Sequence, residues 1–398
     1  MSARLIAPHG GSLVDRYVPA AAEAELRREA EELPSIRLER RELADLLLLA
    51  EGALSPLRGY QTAAEVESVI AGGRLPSGLA WTIPISLPAK GARAAPGGRV
   101  ALRDEAGALW AVVEVSERFR LDLPRAARAI FGTEDPAHPG VAIFLGDDPE
   151  RIAGEVWVFK TPAVDPLRLS PREVRAELEA RGFAEVAAFQ TRNPLHRSHE
   201  YLLRVALEVS DGLLLHPLVG DTKGDDVPAS VRVRAYQALV EGYLPRSRVL
   251  LATLDTAMRY AGPAEAIHHA ILRQNYGASR LIVGRDHAGV GRYYGPFEAQ
   301  ERFDVYDATA LAIRPLKLDL TFWCERCGGA ASPKTCPHPE SARLSLSGTE
   351  VRRRLSVGER LPETFTRPEV AQILEEHYQR EARLSAELQR APLEGRSP

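Results

Sequence analysis

The chain is poor in amide, lysine and cysteine residues and has no large excess of charge. Among its 398 residues are two asparagines, five lysines and three cysteines, and the formal net charge at pH 7 is −3. This balance provides no general electrostatic footprint for a nucleic acid, and no basic stretch interleaved with aromatic residues compensates for it. The composition therefore counts against nucleic acid as a partner, and the scarcity of asparagine makes Asn193 conspicuous.

Long hydrophobic runs and a targeting signal are also missing. No apolar run approaches the roughly 18 residues that a membrane span requires, and the N-terminus lacks the basic-then-apolar layout of a signal peptide. The motif G-x-x-x-x-G-K-[ST] does not occur, so a P-loop phosphate site and an attached P-loop kinase domain are not expected. With 45% hydrophobic and 26% charged residues, we expect a globular protein of the cytoplasm with no membrane partner.

Changes in sequence texture predict three domains. Residues 1–164 are rich in glycine and proline and contain short strand-like segments, which predict a β-rich domain with a helical entry. Residues 165–318 alternate apolar strands with helices, the pattern of a parallel sheet with right-handed crossovers. Residues 319–398 form a third module, which contains every cysteine and ends in a long amphipathic helix. The strand-like segments of the first domain are residues 81–87, 99–102 and 109–115, and residues 132–140 are predicted to be a turn-rich loop.

The middle domain carries a polar loop after each predicted strand. A capping box at Ser170 and Glu173 predicts a helix that ends near residue 181. The predicted strands that follow are residues 186–189, 213–219, 248–251 and 280–283, and the predicted helices are residues 200–209, 230–241 and 263–275. Ligands of parallel sheets collect beyond the carboxyl ends of the strands, so these loops should converge on one edge.

The segment 190–199, with the sequence QTRNPLHRSH, lies between the first of these strands and its helix. It places a guanidinium, an amide and two imidazoles at or just before a helix N-terminus, where free N–H groups and the macrodipole favour an anion. His196 and His199 are three residues apart and should share a face. Alone, this pair could be surface or capping histidines, and a metal site lacks an obvious third ligand nearby. The surrounding residues favour a phosphate site in which the imidazoles neutralise developing charge.

Two further loops are candidates for the same edge. Residues 284–287, with the sequence GRDH, could be an ordinary strand-to-helix turn, but their predicted position beside the first motif favours a function. Lys223, Asp225 and Asp226 follow the second strand, and the pattern leaves open whether they form a solvated loop or part of a site.

Cys324, Cys327, Cys336 and His338 form the pattern C-x2-C-x8-C-x-H. Three thiolates and one imidazole complete a tetrahedral shell for Zn²⁺, and four protein ligands leave no open position, so the pattern predicts a structural ion. The alternative is a loop with three reduced cysteines. A disulfide is not expected in the cytosol and would leave one thiol unpaired.

Taken together, the ordered motifs resemble the ATP sulfurylase (sulfate adenylyltransferase) family. Those in the middle domain are residues 190–199, 216–220, 258–263 and 284–289, and similar earlier segments are residues 8–11, 55–59, 81–85 and 132–140. The resemblance spans nearly the whole chain. It implies an α/β, Rossmann-like nucleotidyltransferase domain with the H-x-x-H motif, flanked by an N-terminal PUA-like domain and a small C-terminal domain.

The resemblance also implies an activity and roles for single residues. The reaction is MgATP plus sulfate giving adenylyl sulfate and pyrophosphate, and members of this size suggest a homodimer. Sulfate would be held by Gln190, Arg192 and the backbone of Ala288. The nucleotide and its phosphates would be held by Gln190, Thr191, Arg192, Asn193, Gly284, Arg285, Asp286 and His287, and the catalytic set would be Thr191, Arg192, Asn193, His196 and His199. Met258 and Arg259 would shape the site, and Arg352 resembles a phosphate-contacting arginine of related enzymes.

Two rival functions remain open at this point. Another H-x-x-H nucleotidyltransferase with a different acceptor would use the same histidines, but it would not need the Gln190 and Arg192 pair to bind an oxyanion. A PUA and zinc protein that binds RNA is the rival from a different class, and the acidic balance of the chain counts against it.

Overall fold

In the computed structural model, the described residues are 4–161, 165–220, 227–344, 346 and 348–390, and the side chains of residues 385–390 are not described. Lys223, Asp225 and Asp226 therefore lie outside the described residues. Within these ranges, no helix combines the length and the apolar character needed to cross a membrane.

The N-terminal region is built around an antiparallel sheet whose longest strands pair with each other. Its elements are α1 (Ala20–Glu32), β1 (Ser35–Arg37), α2 (Arg40–Ala50), β2 (Gly59–Tyr60), α3 (Ala63–Gly72), β3 (Leu87–Pro88), β4 (Arg99–Arg103), β5 (Leu109–Arg120), α4 (Leu123–Phe131), α5 (Pro139–Leu145) and β6 (Glu150–Val158). The strand order is β1-β4-β5-β6-β2, with β3 also paired to β6 and β1 parallel to β4. The β-rich character predicted for this region is confirmed.

The predicted strand over residues 81–87 is wrong. This segment is irregular, and only Leu87 enters a strand. Trp81, Ile83 and Ile85 are nevertheless buried, so the alternating apolar pattern reflects burial against the core without a strand ladder. Pro84 has no N–H group and cannot donate to such a ladder. The loop predicted over residues 132–140 also ends early, because α5 begins at Pro139.

The middle region is an α/β unit with a five-stranded parallel sheet. Its elements are α6 (Pro171–Ala180), β7 (Val186–Phe189), α7 (Arg197–Glu208), β8 (Gly212–Leu215), α8 (Ala229–Tyr243), β9 (Val249–Leu251), α9 (Pro263–Asn275), β10 (Arg280–Val283), α10 (Glu298–Glu301) and β11 (Arg314–Lys317). The order is β11-β10-β7-β8-β9, and all neighbours are parallel. The order of the strands reverses between β7 and β10, which is where such sheets form a ligand crevice.

The predicted elements of this region are largely confirmed, with two changed boundaries. The second strand ends at Leu215 and not at residue 219, because Pro217 follows and cannot continue the ladder. Helix α7 begins at Arg197, three residues before the predicted start at residue 200, and His196 is its N-cap residue. The capping box of Ser170 and Glu173 is present.

Both faces of the parallel sheet are covered, because alternate strand residues point to opposite sides. Ala187 and Phe189 belong to the core cluster shared with α7 and α8, whereas Val186 and Ala188 belong to the cluster that continues into the N-terminal region. Helix α9 lies on this second side and is buried over its whole length, Pro263–Asn275. Burial of a polar side chain in such a helix costs free energy unless a hydrogen bond inside the protein offsets it.

The C-terminal region consists of a small sheet and two helices. They are β12 (Phe322–Cys324), β13 (Gly329–Ala331), β14 (Arg343–Leu344), α11 (Gly348–Ser356) and α12 (Pro368–Arg390). Strand β12 pairs antiparallel with both neighbours. Leu355 of α11 and Leu374 of α12 are buried in the same core cluster as α7 and α8, so the two helices complete one face of the parallel sheet.

Candidate active site

A cavity of about 340 Å³ opens at the carboxyl ends of β7 and β10, where the strand order reverses. It brings together all the predicted nucleotide and sulfate residues of both loops. These are Gln190, Thr191, Arg192, Asn193, His196, His199, Gly284, Arg285, Asp286, His287 and Ala288, and Met258 also lines the cavity. The convergence expected from the polar loops is therefore found, although the role of each side chain remains a prediction.

The loop after β7 is held in place through its backbone. The N–H group of Leu218 donates to the carbonyl of Thr191 at 3.2 Å, and the buried Tyr236 hydroxyl of α8 donates to the carbonyl of Asn193 at 2.7 Å. The Thr191 hydroxyl oxygen accepts the N–H of Asn193 at 3.0 Å. Neighbouring elements therefore hold the backbone of this loop at the edge of the cavity.

The side chains of Arg192 and Gln190 contact residues outside this loop. The Arg192 guanidinium carbon lies 5.1 Å from the centre of the Tyr260 ring, a cation–π distance. The Gln190 amide nitrogen Nε2 lies 2.6 Å from Nδ1 of His269, a residue of α9. Neither His269 nor Tyr260 was predicted to be a neighbour of the site.

The two histidines of the H-x-x-H motif lie side by side. Their ring centres are 4.0 Å apart, and Phe365, from the segment before α12, stacks on His196 at 5.2 Å. Burial lowers the pKa of His196 to about 4, and burial together with His196 lowers the pKa of His199 well below its ordinary value. Both imidazoles are therefore neutral near pH 7 in this arrangement, and each offers one N–H donor.

The loop after β10 has a strained backbone. Asp286 and Ala288 both have φ near 55°, a left-handed conformation that residues other than glycine rarely adopt. The carbonyl of Ala288 accepts the N–H of Gly262 at 3.1 Å, and Asp286 pairs with Arg285 at 3.1 Å. Strain of this kind persists where the surroundings hold the backbone in place, and it is concentrated at binding sites.

The segment that carries Met258 connects the cavity with the N-terminal region. Arg259 donates to both carboxylate oxygens of Asp45 in α2, at 2.7 and 2.6 Å. The backbone N–H groups of Arg259 and Ala261 donate to the two carboxylate oxygens of the buried Glu265, at 2.8 and 3.0 Å. Burial raises the pKa of Glu265, and these two hydrogen bonds oppose that increase. The wall of the site is thus tied to α2 and α9.

Residues 319–321, at the start of the predicted third module, form part of the cavity wall. They follow the carboxyl end of β11, and the Thr321 hydroxyl donates to the carbonyl of Ser198 at 3.1 Å. Strand β11 was not among the predicted elements, so this wall of the cavity was not predicted. That strand has the sequence RPLK, with Pro315 in second place and a charged residue at each end, a pattern that an edge strand tolerates.

The four predicted zinc ligands are assembled in one cluster, with their ligand atoms all within 4.8 Å of one another. Nδ1 of His338 lies 3.4, 3.2 and 3.7 Å from the sulfur atoms of Cys324, Cys327 and Cys336, and the last two sulfurs are 3.7 Å apart. Tetrahedral Zn–S bonds of about 2.3 Å require sulfur atoms about 3.8 Å apart. The spacing therefore fits a Zn²⁺ ion at the centre.

Comparisons with known proteins agree with this architecture. A family model described as ATP-sulfurylase matches residues 165–377, and one described as a PUA-like domain matches residues 6–161. A sulfate adenylyltransferase of Symbiobacterium thermophilum is 53% identical over 95% of this chain and 98% of the relative, and one of Deinococcus deserti is 50% identical over 95% and 97%. The solved structure of a hexameric APS kinase from Thiobacillus denitrificans is 30% identical, with a TM-score of 0.73 over 94% of this chain and 68% of that chain.

Proposed function

The chain belongs to the ATP-sulfurylase family, and from that premise we propose that it transfers the adenylyl group of MgATP to sulfate, which forms adenylyl sulfate and releases pyrophosphate. One observation carries this proposal. Gln190 and Arg192 at the end of β7 face the loop 284–288 at the end of β10 across one cavity, beside the pair of histidines.

The chemistry of the reaction suits this set of side chains. A sulfate oxygen attacks the α-phosphorus, and the bond between that phosphorus and the pyrophosphate oxygen breaks. Sulfate is already an anion and needs no general base, so the main obstacle is the approach of two polyanions. An enzyme overcomes this obstacle with positive potential and with alignment of the two substrates. Ideal alignment can lower an activation barrier by roughly 7 to 11 kcal/mol, and we expect several kcal/mol of that here.

Sulfate is assigned to Gln190, Arg192 and the backbone of Ala288. A guanidinium binds two oxygens of a tetrahedral oxyanion at once, and an amide NH₂ group adds a neutral donor. Ala288 lines the same cavity, and because its carbonyl accepts the Gly262 N–H, its own N–H group is the backbone donor that would face an anion. Together these groups supply donors and no carboxylate, which suits an anion that only accepts hydrogen bonds.

The phosphates are assigned to the histidines and the nucleotide to the two loops. His196 and His199 would donate to the phosphate oxygens that gain charge as pyrophosphate leaves, and the nearby negative charge would favour their protonated forms. The loop residues Thr191 and Asn193, together with Gly284, Arg285, Asp286 and His287, would hold the rest of ATP. Mg²⁺ bound to ATP would supply positive charge to the phosphates, and among the described residues that line the cavity the carboxylates of Asp286 and Asp319 could provide oxygen ligands.

A structural Zn²⁺ ion is assigned to Cys324, Cys327, Cys336 and His338. The tetrahedral spacing of their ligand atoms supports it. Because four protein ligands fill the coordination shell, the ion would stabilise the β12–β13 hairpin and take no part in the reaction.

Two further parts of the proposal concern assembly and location. From the resemblance to the family we propose a homodimer, which sedimentation at the enzyme concentrations used for kinetics would test. We also propose a cytoplasmic location, which three free cysteines gathered as thiol ligands support, because thiols persist in a reducing compartment.

The experiment that tests the function is a pyrophosphate-release assay with MgATP and sulfate. The assay is repeated with molybdate, a sulfate mimic whose adenylate should hydrolyse and allow continuous turnover. We expect release with both anions and none without an anion. The absence of pyrophosphate release with both anions would refute the proposal. Release that requires a different acceptor would favour another H-x-x-H nucleotidyltransferase, and tight binding of RNA would favour the RNA-binding alternative.

A further inference from the structure

We propose that His269 is a positioning residue, which orients the side-chain amide of Gln190 so that an N–H group, and not the carbonyl oxygen, faces the sulfate. The inference deepens the proposed function and rests on it. His269 lies in the middle of α9, below the cavity, and it is not among the residues that line the cavity.

The contacts of the Gln190 side chain make His269 its support. Nε2 of Gln190 lies 2.6 Å from Nδ1 of His269, and within the described part of the chain the amide oxygen Oε1 has no hydrogen-bond partner. The two groups of an amide are nearly identical in shape, so packing alone cannot select one orientation. The hydrogen bond to His269 therefore decides which end of the amide lies at the imidazole.

The position of the proton on His269 is decided on the other side of the ring. Glu265 is one turn before His269 on α9, and its Oε1 lies 3.5 Å from Nε2 of the imidazole. Both carboxylate oxygens already accept backbone N–H groups, so Glu265 faces His269 as an acceptor. Burial, with the charges of Arg273 and Arg259, lowers the pKa of His269 well below its ordinary value, which keeps the ring neutral.

A neutral imidazole has one N–H group and one acceptor nitrogen. When Oε1 of Glu265 accepts the N–H at Nε2, Nδ1 of His269 remains an acceptor and binds the NH₂ group of Gln190, and not its carbonyl oxygen, as the nearer of its two neighbours; Nε2 of His287 is the other. One hydrogen of that group goes to His269, and the second is left for an oxygen in the cavity. Sulfate offers only acceptor oxygens, so this orientation gives attraction where the reverse orientation would give repulsion between two oxygens.

The neighbouring residue on α9 shows that burial of an imidazole does not require such partners. His268 is equally buried, yet neither of its ring nitrogens has a hydrogen-bond partner among the described residues. His269, in contrast, contacts Gln190 and Glu265 and lies 3.4 Å from Nε2 of His287. The contrast makes His268 a matched control on the same helix.

The test compares His269→Leu, His269→Asn and His268→Leu with the wild type in the pyrophosphate-release assay. Leucine keeps most of the volume and removes the acceptor, so the KM for sulfate should rise by about tenfold to a hundredfold while the KM for ATP stays within about twofold. Asparagine places an oxygen where Nδ1 stands and should recover most of the sulfate affinity. His268→Leu should leave the KM for sulfate within about twofold of the wild type.

A double-mutant cycle separates positioning from structure. In a Gln190→Ala background, His269→Leu should cause no further rise in the KM for sulfate, because its effect passes through Gln190. An equal rise for sulfate and ATP, an unchanged KM in His269→Leu, or a full additional effect in the Gln190→Ala background would each overturn the inference. If His269→Leu does not fold, His269→Phe replaces it. An inactive wild type would instead refute the proposed function, so the two failures are distinguishable.

Discussion

Single side chains of the cavity differ in the geometry that they offer to an anion. Arg192 carries a planar fork of donors beside Tyr260, whereas His196 and His199 each offer one N–H from a partly buried ring. A fork suits two oxygens of one anion, and single donors suit separate phosphate oxygens. Substitutions at these positions should therefore change different kinetic constants.

Arg192→Ala should raise the sulfate requirement and lower kcat/KM for sulfate by about two orders of magnitude or more, because it removes charge and bidentate geometry together. Arg192→Lys retains the charge but not the fork, and it should recover only a small part of the loss. Initial rates of pyrophosphate release over a range of sulfate concentrations measure both effects. Near-normal rates from Arg192→Ala would contradict the assignment of this residue.

His199→Ala should lower kcat by about a hundredfold while the KM for ATP changes by less than about threefold, because its donor acts mainly on charge that develops in the transition state. The measurement is the ATP dependence of the rate at saturating sulfate. His377→Ala, on α12 and outside the cavity-lining set, is the control and should leave both constants unchanged. A large rise in the KM for ATP with normal kcat would assign His199 to ground-state binding.

Among secondary-structure elements, the ends of the strands decide where the chemistry lies. The loops after β7 and β10 were predictable, because each follows a strand of strongly apolar residues. The edge strand β11 was not predicted, and residues 319–321 beyond it were assigned to a separate module although they line the cavity. An edge strand tolerates proline and charge, so it has no clear sequence pattern.

Removal of the metal ligands should destabilise the hairpin that follows this wall. Cys336→Ser should eliminate the one zinc ion per chain expected in the wild type, and it should lower the melting temperature and the rate of pyrophosphate release together, since the β12–β13 hairpin begins beside residues 319–321. Elemental analysis and thermal unfolding measure these changes. Ser341→Ala, an exposed substitution in the same module, should retain the ion. A wild-type chain without zinc would contradict the prediction.

At the scale of the whole molecule, the first two regions share one hydrophobic core. The largest core cluster includes Trp81 and Val113 of the N-terminal region as well as Ala188 and Ile271 of the parallel-sheet region. The side chain of Asn275, at the end of α9, accepts the N–H of His9 at 2.8 Å and donates to the carbonyl of Ala53 at 2.9 Å. The N-terminal region therefore buries and positions α9.

Buried neutral histidines make this shared core sensitive to acid. Burial lowers the pKa of His9 to about 4 and that of His287 to about 3, and six further histidines are also shifted downward. The unfolded chain binds these protons near pH 6.5, so it binds more protons than the native state below that pH, and stability falls as the pH falls from about 6.5 to about 4. His9 alone contributes about 3 kcal/mol to this loss.

Chemical denaturation at a series of pH values measures this dependence. Three carboxyl groups act in the opposite direction, because burial raises the pKa of Glu51 to about 7 and raises the pKa values of Glu42 and Glu265, but they are three groups against eight. His9→Asn should reduce the slope of unfolding free energy against pH between about 6.5 and 4. A stability that rises on acidification through this range would contradict the prediction.

Local patterns in the sequence were sufficient for the alternation of strands and helices, for the polar loops at 190–199 and 284–287, and for the cysteine cluster. These features depend on hydrogen bonding and burial within a few residues of each other, and motif order along the chain was enough to indicate the family. The sheet order that places the two loops on either side of one crevice is also a common outcome for such a pattern.

Only the tertiary structure decided what supports and closes the site. Gln190 and His269 are 79 residues apart in the sequence, yet they share a hydrogen bond, and Phe365 reaches His196 from the far end of the chain. Such contacts depend on how complete elements pack, and a histidine inside a buried helix has no local pattern that distinguishes a partner of the active site from a core residue. His268 and His269, adjacent in sequence and opposite in their contacts, show that difference.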